Sequence, residues 1–180
     1  MRYIERFMLL DLSHIRTPQV AVDEVYAAEL FRKPDDAYAV AEPVRLHLDI
    51  NKAGERFRLT GRVQTVLELP CSRCLEPFLW PVDAHFDLVY HPHTANVGEG
   101  ELEVEEADLS TAFYANDAIE LGQLMREQFY LALPMKPLCS DDCRGLCPIC
   151  GTNLNRGACD CKREWEDPRL AALKALRNDS

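Results

Sequence analysis

The cysteines constrain this chain more than any other feature of its sequence. Six of the eight lie in the stretch "LCSDDCRGLCPICGTNLNRGACDC" (residues 138–161), and two lie far upstream in "PCSRCLEPF", at Cys71 and Cys74. "CSRC" and "CPIC" are C-x-x-C pairs, "CDC" is a tighter pair and "CSDDC" a looser one. Two thiolates on one tight turn can hold the same metal ion, at about 2.3 Å for each zinc–sulfur bond. Four pairs therefore predict two sites of four cysteines each.

Loop length favours one division of the eight thiols over the others. Only eight residues separate Cys150 from Cys159, and closing so short a loop costs little entropy. The local group is therefore predicted to be Cys147, Cys150, Cys159 and Cys161. The composite group then contains the remaining four, which are Cys71, Cys74, Cys139 and Cys143. The alternative, in which the two C-x-x-C turns share one ion, stays open because spacing alone does not fix connectivity.

The compartment decides how such thiols are interpreted. The N-terminal apolar run, residues 7–10, stops at Asp11 and is shorter than a secretory signal requires. No stretch of the sequence reaches the apolar length of a membrane span. We therefore expect a soluble cytoplasmic protein. In that reducing environment, paired cysteines favour metal ligands or redox groups over disulfides.

The ligand set predicts a structural metal. A catalytic zinc keeps one position open for water or substrate, whereas eight cysteines divided over two ions leave none. The expected cofactor is therefore zinc, as two structural ions. In "CPICG", Pro148 stiffens the turn and the N–H of Gly151 is expected to approach a sulfur atom. An iron–sulfur cluster, a redox C-x-x-C or buried cysteines without a ligand remain the alternatives for the same thiols.

The charge of the chain is unevenly distributed. The net charge is −10, and residues 134–180 are nearly neutral, so the acidity lies in the earlier part. That balance argues against a whole-surface attraction to nucleic acid, which needs clustered cations. Contact with nucleic acid or with another partner would depend on the cations near the thiols, which are Arg73, Lys136, Arg144, Arg156, Lys162 and Arg163. The same cations could instead be solvated charges or screen the thiolates.

Alternating apolar residues predict three long antiparallel strands, over residues 44–50, 55–69 and 78–90. Residues 51–54 form the first turn, and Gly61 indicates a bulge or bend. A first strand, with a short helix as the alternative, is expected over residues 3–12. The acidic segment 99–108 indicates either a protected sheet edge or a contact with a basic partner.

Helical periodicity predicts a helix over about residues 119–133, with Asp117 as its cap, and a terminal helix that begins at Asp167. The fold class is therefore α+β. We expect an antiparallel sheet or partial barrel with one packed helix, then a cysteine-rich zinc module and the terminal helix. The domain boundary is expected between residues 134 and 135. The composite group would join the module, residues 135–180, to the β-rich body, residues 1–134, in one folding unit.

The ordered motifs resemble the YceD family, the bacterial large ribosomal RNA subunit accumulation protein with plastid relatives. The resemblance rests on "LELPCSRCLEPF", then "REQFYLALPMKPLCSDDCRGLCPICGTNLNRGACDC", then "DPRLAALKAL". It extends from about Val44 to Leu176. It implies a role in the synthesis, processing or stability of 23S rRNA, and hence in assembly of the large ribosomal subunit. It supplies no catalytic residue.

The sequence and the resemblance together predict a non-enzymatic ribosome-biogenesis factor. No nucleophile elbow, phosphate-binding glycine loop or H-E-x-x-H motif is present. The expected partner is nascent large-subunit rRNA or a basic ribosomal protein, with no membrane and no small-molecule substrate. The acidity favours the protein partner. The alternative hypothesis is an RNA-processing enzyme or a thiol redox protein.

Overall fold

The structure is a computed structural model that describes residues 4–5, 8–33, 36–93 and 111–161 of the chain. These residues divide into two units. The β unit comprises Met1–Pro70 and Pro77–Pro137, and the cysteine unit comprises Cys71–Glu76 and Leu138–Ser180. The sequence alone suggested a single boundary after residue 134. The structure instead groups the turn 71–76 with the C-terminal segment.

The described elements of the β unit are nine strands and one α-helix. In chain order they are β1 (Ile4–Glu5), β2 (Leu9–Asp11), β3 (Gln19–Tyr26), β4 (Ala39–Val40), β5 (Val44–Ala53), β6 (Arg56–Pro70), β7 (Pro77–Pro92), β8 (Thr111–Tyr114), β9 (Ala118–Glu120) and α1 (Leu121–Ala132). A short 3-10 turn, Ala28–Phe31, follows β3. This content agrees with the predicted α+β class.

The three predicted long strands are confirmed as β5, β6 and β7. They pair antiparallel in sequence order within a six-stranded sheet. Along β5, the side chains of Val44, Leu46, Leu48 and Ile50 are buried and the residues between them are exposed. One apolar face therefore packs into the core while the polar face meets water, as the alternation predicts. The β5–β6 turn lies at Gly54–Glu55, slightly later than expected, and Gly54 has a φ of 65°.

Gly61 does not form the predicted bulge. It pairs with Leu48 on one side and with Phe86 on the other, and both registers continue without interruption. A Cβ atom at this position would lie 2.5 Å from the carbonyl oxygen of His47 and 2.5 Å from the Phe86 ring. The glycine therefore leaves space for the ring of Phe86 on the buried face, rather than bending the strand.

Two further strands form the edges of the large sheet, and the short β4 is its sixth strand and pairs antiparallel with β6. At one edge, β3 pairs antiparallel with β5. At the other edge, β8 pairs parallel with β7. The parallel pair was not predicted, since only the β5–β7 segment showed long alternation. The sheet is consequently mixed rather than purely antiparallel.

The N-terminal part of the β unit forms a small three-stranded sheet in the order β1-β2-β9. The single strand predicted over residues 3–12 is wrong, because β1 and β2 fold back on each other and Met8 has a φ of 58°. Asp117 is not a helix cap. It has a φ of 52° in the turn before β9, and the first N–H of the helix, at Leu121, donates to the carbonyl oxygen of Met8 at 2.8 Å.

Helix α1 contributes the predicted apolar stripe to the core. The side chains of Leu121, Leu124, Met125 and Phe129 are all buried. The ring of Phe129 contacts Phe31 edge-on, with 5.5 Å between the ring centroids. At the helix end, the Trp80 indole N–H of β7 donates to the carbonyl oxygen of Ala132 at 3.3 Å. Among the described residues, no helix has both the length and the apolar character needed to cross a membrane.

Two of the predicted segments lie outside the described residues. They are the acidic segment 99–108 and the terminal helix that was expected to begin at Asp167. Both remain predictions from the sequence.

A test of the sheet follows from Gly61. In most strands a Gly→Ala change stabilises slightly by restricting the unfolded chain. Here we expect Gly61→Ala to lower the free energy of unfolding by about 1–3 kcal/mol, because the new methyl group overpacks the sheet. Chemical denaturation measures the change. Glu68→Ala, an exposed position on the same strand, is the control and should change stability by less than about 0.5 kcal/mol. A Gly61→Ala protein as stable as the wild type would contradict the packing.

Candidate metal centres

The composite group brings together thiols from two distant segments of the cysteine unit. Cys71 and Cys74 come from the turn that follows β6, and Cys139 and Cys143 come from the C-terminal segment. All four sulfur atoms lie within 4.8 Å of one another. The Sγ–Sγ distance is 3.7 Å between Cys71 and Cys143, and also 3.7 Å between Cys74 and Cys139. These are the four residues that the loop-length argument placed together.

The local group is built within one short stretch of chain. The sulfur atoms of Cys147, Cys150, Cys159 and Cys161 lie within 4.8 Å of one another. The C-x-x-C turn is held by the N–H of Cys147, which donates to the carbonyl oxygen of Thr152 at 2.8 Å. Of its four cysteines only Cys147 is buried, whereas three of the composite group are. The two C-x-x-C turns therefore belong to different groups, contrary to the alternative pairing.

The two C-x-x-C turns share one backbone geometry. In each, the residue after the second cysteine donates its N–H to the carbonyl oxygen of the first cysteine at 2.9 Å. This residue is Gly151 in the local group and Leu75 in the composite group, with φ values of 74° and 62°. The sequence predicted that the N–H of Gly151 approaches a sulfur atom. In the structure this N–H instead closes the turn. The left-handed backbone of Leu75 costs about 1–2 kcal/mol. The sequence indicates such a position where glycine occupies it, as at Gly151, but not where leucine does.

The four sulfur atoms of each group have the chemistry and spacing of a metal site. A regular tetrahedron of sulfur atoms, each about 2.3 Å from a central ion, has edges of about 3.8 Å. The 3.7 Å distances of the composite group agree with that value. All eight cysteines are free of disulfides, so every thiol is available. Each group could therefore hold one metal ion.

Hydrogen bonds set the charge of the composite group. Burial raises the pKa of Cys71, but hydrogen bonds from backbone N–H groups, including that of Arg73 at 3.5 Å, outweigh it and lower this pKa to about 6. The side-chain amide of Asn155 donates to the sulfur of Cys143 at 3.3 Å and lowers its pKa. The hydrogen bond with Cys143 raises the pKa of Cys139 to about 12. Thiols with lowered pKa values, Cys71 and Cys143, thus lie beside a thiol with a raised pKa, Cys139.

The local group has the same division. The hydroxyl group of Thr152 lies 3.1 Å from the sulfur of Cys150, and this hydrogen bond lowers the pKa of Cys150 to about 6. In turn, the hydrogen bond with Cys150 raises the pKa of Cys161 to about 12. Neither Thr152 nor Asn155 was identified from the sequence, since polar residues in a turn-forming loop carry no signal of a sulfur contact.

The cations proposed for partner contact have separate roles in the structure. The Arg73 guanidinium group donates to the carbonyl oxygens of Asp141 at 3.1 Å and of Cys143 at 2.8 Å. Arg156 forms an ion pair with Glu76 at 2.7 Å. Both side chains therefore tie the turn 71–76 to the C-terminal segment of the cysteine unit.

The other four cations are differently placed. Arg144 belongs to the cysteine unit and its side chain is exposed, while its backbone N–H donates to the Oδ1 atom of Asn155 at 2.7 Å. Lys136 is exposed and belongs to the β unit. Lys162 and Arg163 lie outside the described residues. The structure consequently groups Arg73, Arg144 and Arg156 in one unit and does not describe a single patch of six.

Comparison with protein families gives one match. The sequence profile of the family described as "Large ribosomal RNA subunit accumulation protein YceD" matches residues 59–177, which is more than half of the chain. The matched region contains all eight cysteines. It starts later than the expected Val44 and ends one residue beyond the expected Leu176. No solved structure matches the chain.

Among curated proteins, the chain is similar to two chloroplastic proteins named large ribosomal RNA subunit accumulation protein YCED homolog 1. Identity is 28% over 161 residues with the Arabidopsis thaliana protein, covering 78% of this chain and 50% of the relative. It is 29% over 151 residues with the Zea mays protein, covering 67% and 49%. The chain thus spans about half the length of these plant relatives. An uncharacterised Mycobacterium tuberculosis protein is 32% identical over 129 residues, covering 71% of this chain and 59% of the relative.

Three glycines of the cysteine unit provide a graded test of its backbone. Gly145 has a φ of 73°, and a Cβ atom there would lie 3.0 Å from the carbonyl oxygen of Arg73. Gly151 has the same backbone conformation but open space around it. We expect Gly151→Ala to destabilise the unit by about 1–2 kcal/mol through backbone strain alone. Gly145→Ala should cost about 1–3 kcal/mol more, because it also displaces the Arg73 carbonyl group.

Amide hydrogen exchange at Leu146 measures both changes, since its N–H donates to the Arg73 carbonyl oxygen at 3.1 Å and reports local opening. Gly157→Ala is the control, because nothing lies within 4 Å of the added methyl group. Equal protection of Leu146 in the Gly145→Ala and Gly151→Ala proteins would contradict the close approach of Gly145 to Arg73.

Proposed function

Because the chain belongs to the YceD family, we propose that it is a non-enzymatic factor that supports the synthesis, processing or stability of 23S rRNA during assembly of the large ribosomal subunit. The family description, large ribosomal RNA subunit accumulation, is the observation that carries this proposal. The plant relatives bear the same description in their names. Because the chain spans only about half the length of these relatives, their activity is a proposal for this chain.

The cofactor in this proposal is zinc, one ion in each group of four thiols. The ligands would be Cys71, Cys74, Cys139 and Cys143 at one ion, and Cys147, Cys150, Cys159 and Cys161 at the other. Thiolate-only ligation in a tetrahedron is typical of structural zinc. A cluster of several irons would spread its four sulfur ligands over more than one metal, whereas these sulfur atoms converge on one point within 4.8 Å of each other. When bound, each ion neutralises and cross-links its thiolates.

The absence of enzymatic activity is part of the proposal. A catalytic zinc keeps a position open for water or substrate. In both groups four protein sulfur atoms already surround the ion position, so a further ligand would have to displace a cysteine. The thiols therefore serve to fix the backbone of the cysteine unit, and its exposed side chains do the binding.

The proposed partner is a basic ribosomal protein or nascent large-subunit rRNA, encountered in the cytoplasm. The net charge of −10 favours the basic protein through long-range attraction. Two observations also favour it over direct RNA contact. Arg73 is occupied by backbone carbonyl oxygens, and Arg156 is paired with Glu76. Of the three described cations in the cysteine unit, Arg144 alone extends its side chain without such a partner.

The metal proposal predicts the result of removing thiols in pairs. In saturating zinc, Cys71→Ser/Cys74→Ser should bind one ion instead of two, because it disrupts the composite group only. Cys159→Ser/Cys161→Ser should likewise bind one ion, at the composite group. Native mass spectrometry and elemental analysis count the ions. Ser140→Ala, an exposed position between the composite-group cysteines, should still bind two. Loss of both ions from either paired variant at saturation would contradict two separate sites.

The biological proposal predicts a selective deficit of large-subunit rRNA. Depletion of this protein should lower the ratio of large- to small-subunit rRNA, because nascent large subunits would assemble or survive less well. Expression of the wild-type chain and of Ser140→Ala should restore the ratio, whereas Cys71→Ser/Cys74→Ser should not. The ratio is measured by quantitative electrophoresis of total RNA. An unchanged ratio after depletion would remove the proposed function and leave a metal-binding protein with another partner.

A further inference from the structure

Asn155 connects the local group to the composite group. It lies in the loop between Cys150 and Cys159, whose ends are ligand positions of the local group. Its side chain, however, contacts the composite group, where the Nδ2 amide donates to the sulfur of Cys143 at 3.3 Å. A residue in the loop of the local group thus donates a hydrogen bond to a sulfur atom of the composite group.

The orientation of this side chain is fixed by its second hydrogen bond. The Oδ1 atom of Asn155 accepts the backbone N–H of Arg144 at 2.7 Å. A backbone N–H can only donate, so the oxygen must face Arg144 and the amide nitrogen must face sulfur. The N–H of Asn155 donates to the Oδ1 atom of Asn153 at 2.9 Å, which holds the backbone as well. The contact with Cys143 is therefore a directed N–H···S hydrogen bond.

The loop that carries Asn155 is itself held by the local group. Its start is held by two hydrogen bonds, from the N–H of Cys147, the first cysteine of the turn, to Thr152 O at 2.8 Å, and from the N–H of Leu154 to Gly145 O at 2.9 Å. Its end leads directly to Cys159 and Cys161. An ion that joins both ends fixes the loop, and with it the position of the Asn155 amide. Without that ion, the loop would be ordered by these hydrogen bonds and by the contacts of Asn155, with no cross-link between its ends.

We propose that Asn155 is a positioning residue that couples the two groups, so that a metal ion in the local group strengthens metal binding by the composite group. This inference rests on the metal binding proposed above. A hydrogen-bond donor beside a metal-bound thiolate disperses its negative charge, and outer partners of this kind typically change metal affinity 10–100-fold. By thermodynamic linkage, an ion in the composite group strengthens binding at the local group by the same factor.

A double-mutant cycle on the full chain tests the coupling. The probe is cadmium-113, because each four-thiolate site gives its own resonance and the two sites can be followed separately during competition with a chelator. Removing the local group by Cys159→Ser/Cys161→Ser should weaken cadmium binding at the composite group about tenfold. In an Asn155→Asp background the same removal should weaken it by no more than about twofold, because the link is already broken.

Asn155→Asp is a close match in shape to the wild type. It retains an oxygen atom that can accept the Arg144 N–H, but it replaces the donor that faces Cys143 with a second oxygen. Asn155→Ala is the second variant and introduces no charge beside the thiolates. It should abolish the tenfold ratio in the same way, with a smaller loss of absolute affinity at the composite group.

Gly157→Ala is the matched control in the same loop. Nothing lies within 4 Å of the added methyl group and Asn155 stays in place, so the tenfold ratio should persist. A composite group whose affinity is unchanged by removal of the local group would overturn the coupling. A tenfold ratio that persists in both Asn155 variants would overturn the role of Asn155. A chain that binds no cadmium at all would overturn the metal proposal itself, and is distinguishable from either result.

Discussion

The cysteine unit depends on the convergence of its thiols, because its described residues, 71–76 and 138–161, form almost no apolar core. The hydrophobic core of the described chain is formed entirely by residues of the β unit. Within residues 138–161, the buried positions are Cys143, Gly145 and Cys147. A segment this small rarely folds by hydrophobic burial alone and usually needs a metal or disulfide cross-link. The backbone turns, the Arg73 contacts and the Asn155 bridge all lie around these converging sulfur atoms.

The fold was predictable where burial on one side of the chain is strong. The long strands β5, β6 and β7 each present alternating apolar residues to one core, and the helix α1 presents an apolar stripe at helical spacing. Both patterns can be read from the sequence because one face of each element is buried while the other meets water. The failures were local. Asp117 lies in a tight turn and not at the predicted helix cap. Residues 118–120 pair with β2 as a strand, so the helix begins later than predicted. At Gly61, the sequence showed a missing side chain but not the aromatic ring of Phe86 that occupies its space.

The site was predictable to the level of which thiols meet, because loop-closure entropy ranks the pairings. Its surroundings were not. Leu75 adopts a left-handed backbone although it is not glycine, and the Asn155 amide reaches a cysteine of the other group. Both depend on how the backbone turns place hydrogen bonds, and neither leaves a compositional mark. The same limit applies to the cations. The sequence shows that Arg73 is basic, but not that its guanidinium group donates hydrogen bonds to two backbone carbonyl oxygens.

The two cysteine pairs of the composite group are synthesised at different times, so the group can form only after a delay. Its thiol contacts span 72 residues between Cys71 and Cys143, and 65 residues between Cys74 and Cys139. At translation speeds of about 5–20 residues per second, the first pair waits on the order of 10 s for the second to emerge. The local group meets no such delay, since its four cysteines are made within one short stretch. The long β6–β7 hairpin can thus form while the turn at its end still carries two thiols without their partners, which are open to oxidation until the C-terminal segment is synthesised.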